Sequence, residues 1–419
     1  MSDPVRLAIV GCGGMGRRHL TGLGELRRGS HANVQLVAVC DPNLDNAAFL
    51  AREAEQLLGT RPAVFDGAAA MVAAGLGVEA ADCTTDTGSH HRVATELFEL
   101  GLHVMCEKPL AVTVRGCLRV IEAARRAGRV LSVAENFRRD PINRLVRALI
   151  DGGAIGAPQF LLEASIGGRD DILITPWRHM RMTGAMPLDA GVHNADILQF
   201  YFGPALSAYG VARLFEKRRH KRGTAGPGGF YERWADSVPD EIEPDGEDAV
   251  FGTIVFENGA VGQLVQHHAG HGLRHGERLV YGTRGSIVSP GDRNGRPVRL
   301  TLDDGTDVAD ERVLEFAPGY RLSPVAAELF GSERPWTYDL DFNATDRRIL
   351  ALEYHELGEC VRGRAAPEVD GAAALRAVAL IYALIESERA GRPVTLAEVR
   401  EGAVDGYQRD MDEQLGLVG

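Results

Sequence analysis

At 419 residues the chain exceeds the length over which one hydrophobic core keeps growing, so two domains are expected. Hydrophobic residues make up 45% and charged residues 25%, a globular composition that gives no ground for disorder. The formal charge of −12, from 58 acidic and 46 basic side chains, lacks the basic footprint that grips a phosphate backbone, so no nucleic-acid partner is expected.

The N-terminal "MSDPVRLAIVG" enters an apolar strand pattern at once, with no leader-like series, and no run of about 18 apolar residues occurs. A cytoplasmic protein without membrane partners is the expectation. Residues 5–135 then alternate short apolar runs with helical patterns: "VRLAIVG", "MGRRHLTGLGEL", "VQLVAVCD", "NAAFLAREAEQLL", "AADCTTD", "RVATELFELG" and "LHVMCEKP". Strand and helix in repeated alternation mean parallel βαβ units with right-handed crossovers. Within the first unit, Gly11, Gly13 and Gly16, with Gly14 and Met15 between, fit G-x-G-x-x-G between a strand and a helix. There glycines permit a tight turn and close approach of a pyrophosphate to a helix N-terminus. Asp41 ends the second strand, where a carboxylate binds both ribose hydroxyls of an adenosine and repels a 2′-phosphate, favouring NAD over NADP; a turn aspartate before Pro42 is the plain alternative. Six cysteines, Cys12, Cys40, Cys83, Cys106, Cys117 and Cys360, lie mostly in apolar runs without metal or disulfide spacing and are expected to be reduced packing residues.

"CEKPL" closes the strand His103 to Cys106 with a lysine. The C-terminal edge of a parallel sheet is where such a fold opens its crevice, so Lys108 is placed to face a ligand, although position alone also allows a surface lysine. "VTVRGCLRVIEAARRAGRVLSVAENF" adds another helix and strand. From about residue 155 strands carry Thr, Val and Phe, and Asn258-Gly259 signals a hairpin, so this half should hold an antiparallel or mixed sheet.

In "PLDAGVHNAD", a helix with Pro187 in its first turn puts Asp189, His193 and Asp196 on one face. His193 has the intrinsic pKa to take a hydroxyl proton, Asp189 is suited to orient it, and Asp196 is a supporting group. A satisfied helix histidine is the plain alternative. A metal held by these three would draw every known ligand from one helix, so no metal is expected. Residues 215–248 are polar and rich in Gly and Pro, a long loop or insertion, and its basic run Lys217 to Arg222 receives no role. His267, His268, His271 and His275 invite a metal reading, but strand alternation sends His267 and His268 to opposite faces, leaving a pocket wall or subunit contact. A helix over about 371–390 ends at Gly391 and Pro393.

Taken together, "GCGGMG", "SHHRVATELFELGLHVMCEKPLAVT", "AENFRRDP", "PLDAGVHNADILQFYFG" and "AALRAVALIYALIESERAGRPV" resemble the Gfo/Idh/MocA family, the glucose-fructose oxidoreductase and inositol dehydrogenase group. The likeness covers nearly the whole chain apart from an insertion around 215–246. It implies an α/β fold: an N-terminal Rossmann doubly wound parallel sheet over 1–135, then a C-terminal α+β domain over 136–419 with a large, mostly antiparallel open sheet, the 371–390 helix packing back toward the first domain. It also implies NAD as cofactor, a homodimer or homotetramer, and a cis bond at Pro109. By resemblance Lys108, Asp189 and His193 form the catalytic set, and Thr85, His90 and Glu107 join the glycine turn and Asp41 in holding cofactor. Arg138, Trp177, Arg178 and Asn194 border the substrate, Trp177 stacking on a sugar face and the arginines donating to hydroxyls or a carboxylate. Two departures mark this chain: "TGAMPLD" keeps only Gly184 where three glycines are usual, and Thr85 is followed by Asp86 where T-P is usual.

The expected activity is NAD-dependent hydride transfer from a secondary hydroxyl of a sugar, glycoside or cyclic polyol. Two competing readings are a redox-neutral enzyme that cleaves a glycosidic bond through transient oxidation, and a non-catalytic NAD-binding sensor.

Overall fold

In the computed structural model, which describes residues 3–222 and 229–418, six parallel strands form the first sheet. They are β1 (Val5–Val10), β2 (Val34–Cys40), β3 (Ala63–Phe65), β4 (Ala80–Cys83), β5 (His103–Glu107) and β6 (Leu131–Ala134). Between them run α1 (Gly14–Arg28), α2 (Leu44–Leu58), α3 (Ala68–Ala73), α4 (His90–Glu99) and α5 (Val114–Ala127). Every residue of β4 and β6 is buried, because helices cover both faces of the sheet. Strand order is β3-β2-β1-β4-β5-β6, so the order reverses between β1 and β4, and the crevice of a doubly wound sheet opens at the C-terminal ends there. The glycine turn, Asp41, Thr85, Lys108 and Glu135 follow β1, β2, β4, β5 and β6 respectively, all at this one edge.

After α6 (Pro141–Asp151), capped by Asp140, comes β7 (Pro158–Gly168), then α7 (Ala185–Asp189) and α8 (Gly191–Phe202). Next are β8 (Ala205–Arg213), β9 (Arg219–His220), β10 (Glu241–Ile242), β11 (Ala249–Phe256), β12 (Val261–Gly270), β13 (His275–Gly282), β14 (Gly285–Ser289), β15 (Arg299–Leu302) and β16 (Asp307–Val308). The chain closes through α9 (Pro324–Phe330), α10 (Phe342–Val361), α11 (Gly371–Ala390) and β17 (Val394–Thr395), with two short helices beyond. Nine of these strands make a second sheet ordered β16-β15-β14-β13-β7-β12-β11-β8-β17, antiparallel throughout except for the β7/β12 pair. The hairpin expected at Asn258-Gly259 joins β11 to β12, with Gly259 at φ +86°.

The segment expected to be a loop is partly folded. β9 and β10 pair with each other, and Glu232–Ser237 form a 3-10 turn; the Gly/Pro-rich residues 223–228 of the same expectation lie outside the described residues. Its basic run is anchored by Arg219, which is fully buried and donates to Asp248 and to the carbonyls of Arg169, Asp171 and His268. A guanidinium supplies five donors in a fixed fork, so one such residue pins a strand that is too short to hold itself.

α11 is buried on nearly every side, packing on α8 and β8 and also against α5, while α10 lies along α1. The two sheets are therefore stitched by helices from the end of the chain. All six cysteines are buried and free.

Candidate active site

The glycine turn is dictated by sterics. Gly11 sits at φ +102°, where a Cβ would lie 2.7 Å from the Thr84 backbone, and a Cβ on Gly16 would lie 2.3 Å from the Gly11 carbonyl oxygen. Beside Gly13, by contrast, a Cβ would meet nothing within 4 Å. The N-terminus of α1 carries no side-chain cap and no acidic residue in its first turn. Unpartnered N–H groups and the positive end of the helix dipole thus face open space, the arrangement a pyrophosphate requires. A cavity of about 420 Å³ lies there, lined by Gly11, Gly13, Gly14, Met15, Asp41 and Thr85, among others. Asp41 is held in place by accepting from the Cys12 N–H at 2.7 Å and the Asn43 N–H at 2.8 Å. Trp177, expected at the substrate, lines this dinucleotide cavity instead.

Three expected cofactor residues, Gly16, His90 and Glu107, do not line this cavity. Both ring nitrogens of His90 face carbonyl oxygens, that of Pro109 at 2.8 Å and that of Thr85 at 3.1 Å, so the ring ties the two turns together. Glu107 points the opposite way from Lys108, as alternation along an extended segment requires, and is buried. One of its oxygens meets His19 Nε2 at 3.0 Å and the other accepts the Lys108 N–H at 2.8 Å. His19 is itself buried, with Nδ1 2.9 Å from Asp82, which also accepts from the Tyr354 hydroxyl. Burial alone would lower the pKa of His19, but Asp82 and Glu107 lift it to about 10. Burial would raise that of Glu107, yet His19, Lys108 and Arg18 hold it down at about 2. The result is a buried ion cluster that sets the backbone of the lysine turn from below.

The peptide between Lys108 and Pro109 is cis. Lys108 Nζ donates to the Asp189 carbonyl at 2.8 Å and approaches Asp189 Oδ1 at 3.3 Å. The other carboxylate oxygen of Asp189 accepts from Arg178. Burial works to raise the Asp189 pKa, but Arg178 and Lys108 outweigh it and keep the carboxyl ionised, well below the usual range.

His193 is not oriented by Asp189. Its Nδ1 lies 2.7 and 2.9 Å from the two carboxylate oxygens of Glu135, at the end of β6. The expected single helix is two, α7 ending at Asp189 and α8 beginning at Gly191, and a Cβ on Gly191 would stand 2.8 Å from Gln266 and 2.9 Å from Ile381. Asp189, His193 and Asp196 meet different partners: Lys108 and Arg178, Glu135, and Arg138 respectively. Phe137 stacks on the imidazole at 4.3 Å with the planes 8° apart, and Arg293 lies over the Phe137 ring at 5.3 Å. Burial, helped by the Lys108 charge, depresses the His193 pKa, while Glu135 opposes that shift. Glu135 is ionised, since His193 and a backbone N–H overcome the effect of its burial, so Nδ1 carries the proton and Nε2 is left as the acceptor.

A second cavity of about 450 Å³ is lined by Lys108, Asp189, His193, Asn194, Arg178 and His268, among others. Met15 and Tyr231 line both cavities. Asn194 is fixed by donating to Glu163 and accepting from Gln266 at 2.6 Å. Arg138, expected at the substrate, lines neither cavity: it pairs with Asp196 through Nε at 2.7 Å and lies over Phe200. Of the four clustered histidines only His268 reaches the cavity, where its Nε2 is buried without a partner and burial, with Arg219 nearby, lowers its pKa to about 4. His267 packs on Phe215 and Phe251, His271 pairs with Glu216, and His275 with Glu277. Among the described residues no group of three or more His, Cys, Asp or Glu side chains is placed to hold a metal ion.

Glu135, Phe137 and Tyr231 escaped sequence reasoning, whereas His268, expected on a pocket wall or a subunit contact, lines the cavity. Glu135 alone had a usable signal, since it follows a parallel strand at the same sheet edge as Lys108. The others depend on chain crossings that no local pattern encodes.

Comparison with known proteins agrees with this fold. Residues 5–135 match the family model described as an oxidoreductase family, NAD-binding Rossmann fold, and residues 148–396 match the model for its C-terminal alpha/beta domain. The chain is 30% identical to a D-apiose dehydrogenase from Paraburkholderia graminis over 47% of this chain and 49% of that protein. It is 28% identical to a D-glucoside 3-dehydrogenase from Escherichia coli over 62% of this chain and 69% of that one. Measured on the apiose relative, the chain spans about half the length of the curated protein it matches. In fold it resembles a levoglucosan dehydrogenase solved in complex with NADH and levoglucosan, with a TM-score of 0.71 at 20% identity, covering 94% of this chain and all of that one (100%).

Proposed function

From the premise that this chain belongs to the Gfo/Idh/MocA oxidoreductase family, we propose that it is an NAD-dependent dehydrogenase acting on a secondary hydroxyl of a sugar, glycoside or cyclic polyol. The observation that carries this reading is the meeting of Lys108 and His193, from different sheets' connections, on one cavity that adjoins the dinucleotide cradle. The names of the apiose and glucoside relatives support the substrate class.

The open cradle at Gly13 and the uncapped start of α1 fit a dinucleotide, with Asp41 at the adenosine ribose and Thr85 and Met15 along the wall. Bound there, NAD supplies the hydride acceptor. His193 takes the hydroxyl proton on Nε2, and Glu135 stabilises the resulting imidazolium through Nδ1. Lys108 Nζ donates to the substrate oxygen as it becomes a carbonyl, its other bonds to Asp189 fixing the direction of the third. Arg178 keeps Asp189 ionised and in place. Asn194 and His268 offer further polar groups to ring hydroxyls.

The test is a screen of sugars, glycosides and cyclic polyols that follows NADH absorbance alongside product mass. Formation of NADH with a product lighter by two hydrogens supports the proposal; sugar release without NADH selects the redox-neutral reading, and no turnover of any kind overturns both.

A further inference from the structure

Gly14 is a free position in G-x-G-x-x-G, and its backbone is not left-handed, so neither the turn nor the pattern explains a glycine there. Tyr231 does. A Cβ on Gly14 would lie 2.5 Å from Cδ1 and Cε1 of the Tyr231 ring, which comes from the insertion between β9 and β10. This contact is one of three that lay the insertion across the first sheet's helices. Arg17 of α1, held by Glu53 of α2, donates to the Phe230 carbonyl at 2.9 Å, and Arg233 lies 4.1 Å from the centre of the Phe49 ring on α2. Tyr231 also faces the other way: its hydroxyl accepts from Arg178 at 3.3 Å, and Arg178 holds Asp189, which holds Lys108. Phe230 lines the substrate cavity and Tyr231 lines both.

We propose that the segment from Phe230 to Ser237 is a strap belonging to the active site, in which Tyr231, seated on Gly14, covers one side of the junction between the dinucleotide and substrate cavities and retains bound dinucleotide. The proposal rests on the cofactor reading above. It explains why the segment is anchored to two Rossmann helices instead of standing free, and why position 14 has no side chain. Arg233 is the informative anchor because it lines neither cavity.

The experiment measures NADH release from the intact protein by stopped-flow displacement, with thermal midpoints recorded for each variant. Arg233→Ala should speed release about 5-fold, the factor that about 1 kcal/mol of cation–π contact represents. Tyr231→Ala should speed it at least as much. Gly14→Ala should do the same in the wild-type background, where the new methyl displaces the ring, and should add nothing in the Tyr231→Ala background. If the wild type binds NADH but Arg233→Ala and Tyr231→Ala, with thermal midpoints unchanged, release it at the wild-type rate, the strap is overturned and the cofactor assignment stands. If Gly14→Ala acts equally with and without Tyr231, the seat is overturned. If the wild type does not bind NADH, the cofactor reading fails and the proposal falls with it.

Discussion

Replacing Glu135 with glutamine tests the site at the point where structure and sequence pattern part. Both carboxylate oxygens face His193 Nδ1, at 2.7 and 2.9 Å, and the pair is almost wholly buried. An amide of the same shape keeps one acceptor but loses the charge, so it still orients the ring while failing to stabilise the imidazolium. A hydrogen bond to a charged group is worth roughly 1.5–3 kcal/mol, which predicts a fall in kcat of about 10- to 150-fold. The sign of the pH effect follows from the causes of the His193 shift. Burial and Lys108 already depress its pKa, and Glu135 is what raises it. Removing that charge lowers it further, so the acidic limb of kcat/KM, where the base becomes protonated, should move to lower pH in Glu135→Gln. The assay is initial-rate NADH formation against pH with the substrate identified by screening. In Asp189→Asn the limb should not move down, because that carboxylate is engaged with Lys108 and Arg178. A Glu135→Gln enzyme with wild-type turnover and an unmoved limb, beside an Asp189→Asn enzyme whose limb falls, would return the orienting role to Asp189 and refute the argument.

Lys108→Ala should lower kcat by two or more orders of magnitude while NAD binding, measured by calorimetry, stays within a few-fold, since Lys108 lines the substrate cavity and not the dinucleotide cavity. Asp41→Ala should weaken NAD and narrow its advantage over NADP in the same measurement; unchanged affinities for both would remove the ribose assignment. Arg138→Ala breaks a buried pair with Asp196 and should cost about 3 kcal/mol in denaturant unfolding with KM unaltered, whereas a raised KM at unchanged stability would restore its substrate role. His19 has a folded pKa raised from 6.5 to about 10, so its contribution to stability is complete below about pH 6.5 and is lost as pH climbs toward 10. His19→Asn should flatten the stability profile across that window in urea titrations, and an identical slope in both proteins would contradict the buried histidinium.

Much of the molecule is written in local pattern. The strand and helix alternation over the first third, the glycine turn with its strand before and helix after, and Lys108 at a strand end are all short-range signals, because each depends on period, on φ, or on where a parallel strand must stop. The hairpin at Asn258-Gly259 and the stop at Gly391 belong to the same class. Pattern misled at the partner of His193. Asp189, four residues before His193, is expected to orient the imidazole, but Glu135 takes that place and Asp189 meets Lys108 and Arg178.

The sequence by itself determined the fold class, the dinucleotide turn and the placement of Lys108 at the crevice edge, because those follow from the geometry of a few neighbouring residues. Only the tertiary structure decided who partners whom: Glu135 with His193, Asp189 with Lys108 and Arg178, Arg138 with Asp196, and Tyr231 with Gly14. The reason is physical. An ionised side chain buried in a protein is stable only beside a counter-charge or a donor, and that partner is selected by which elements the packing of two sheets and their helices brings within about 3 Å, a distance set by the whole chain and not by spacing along it.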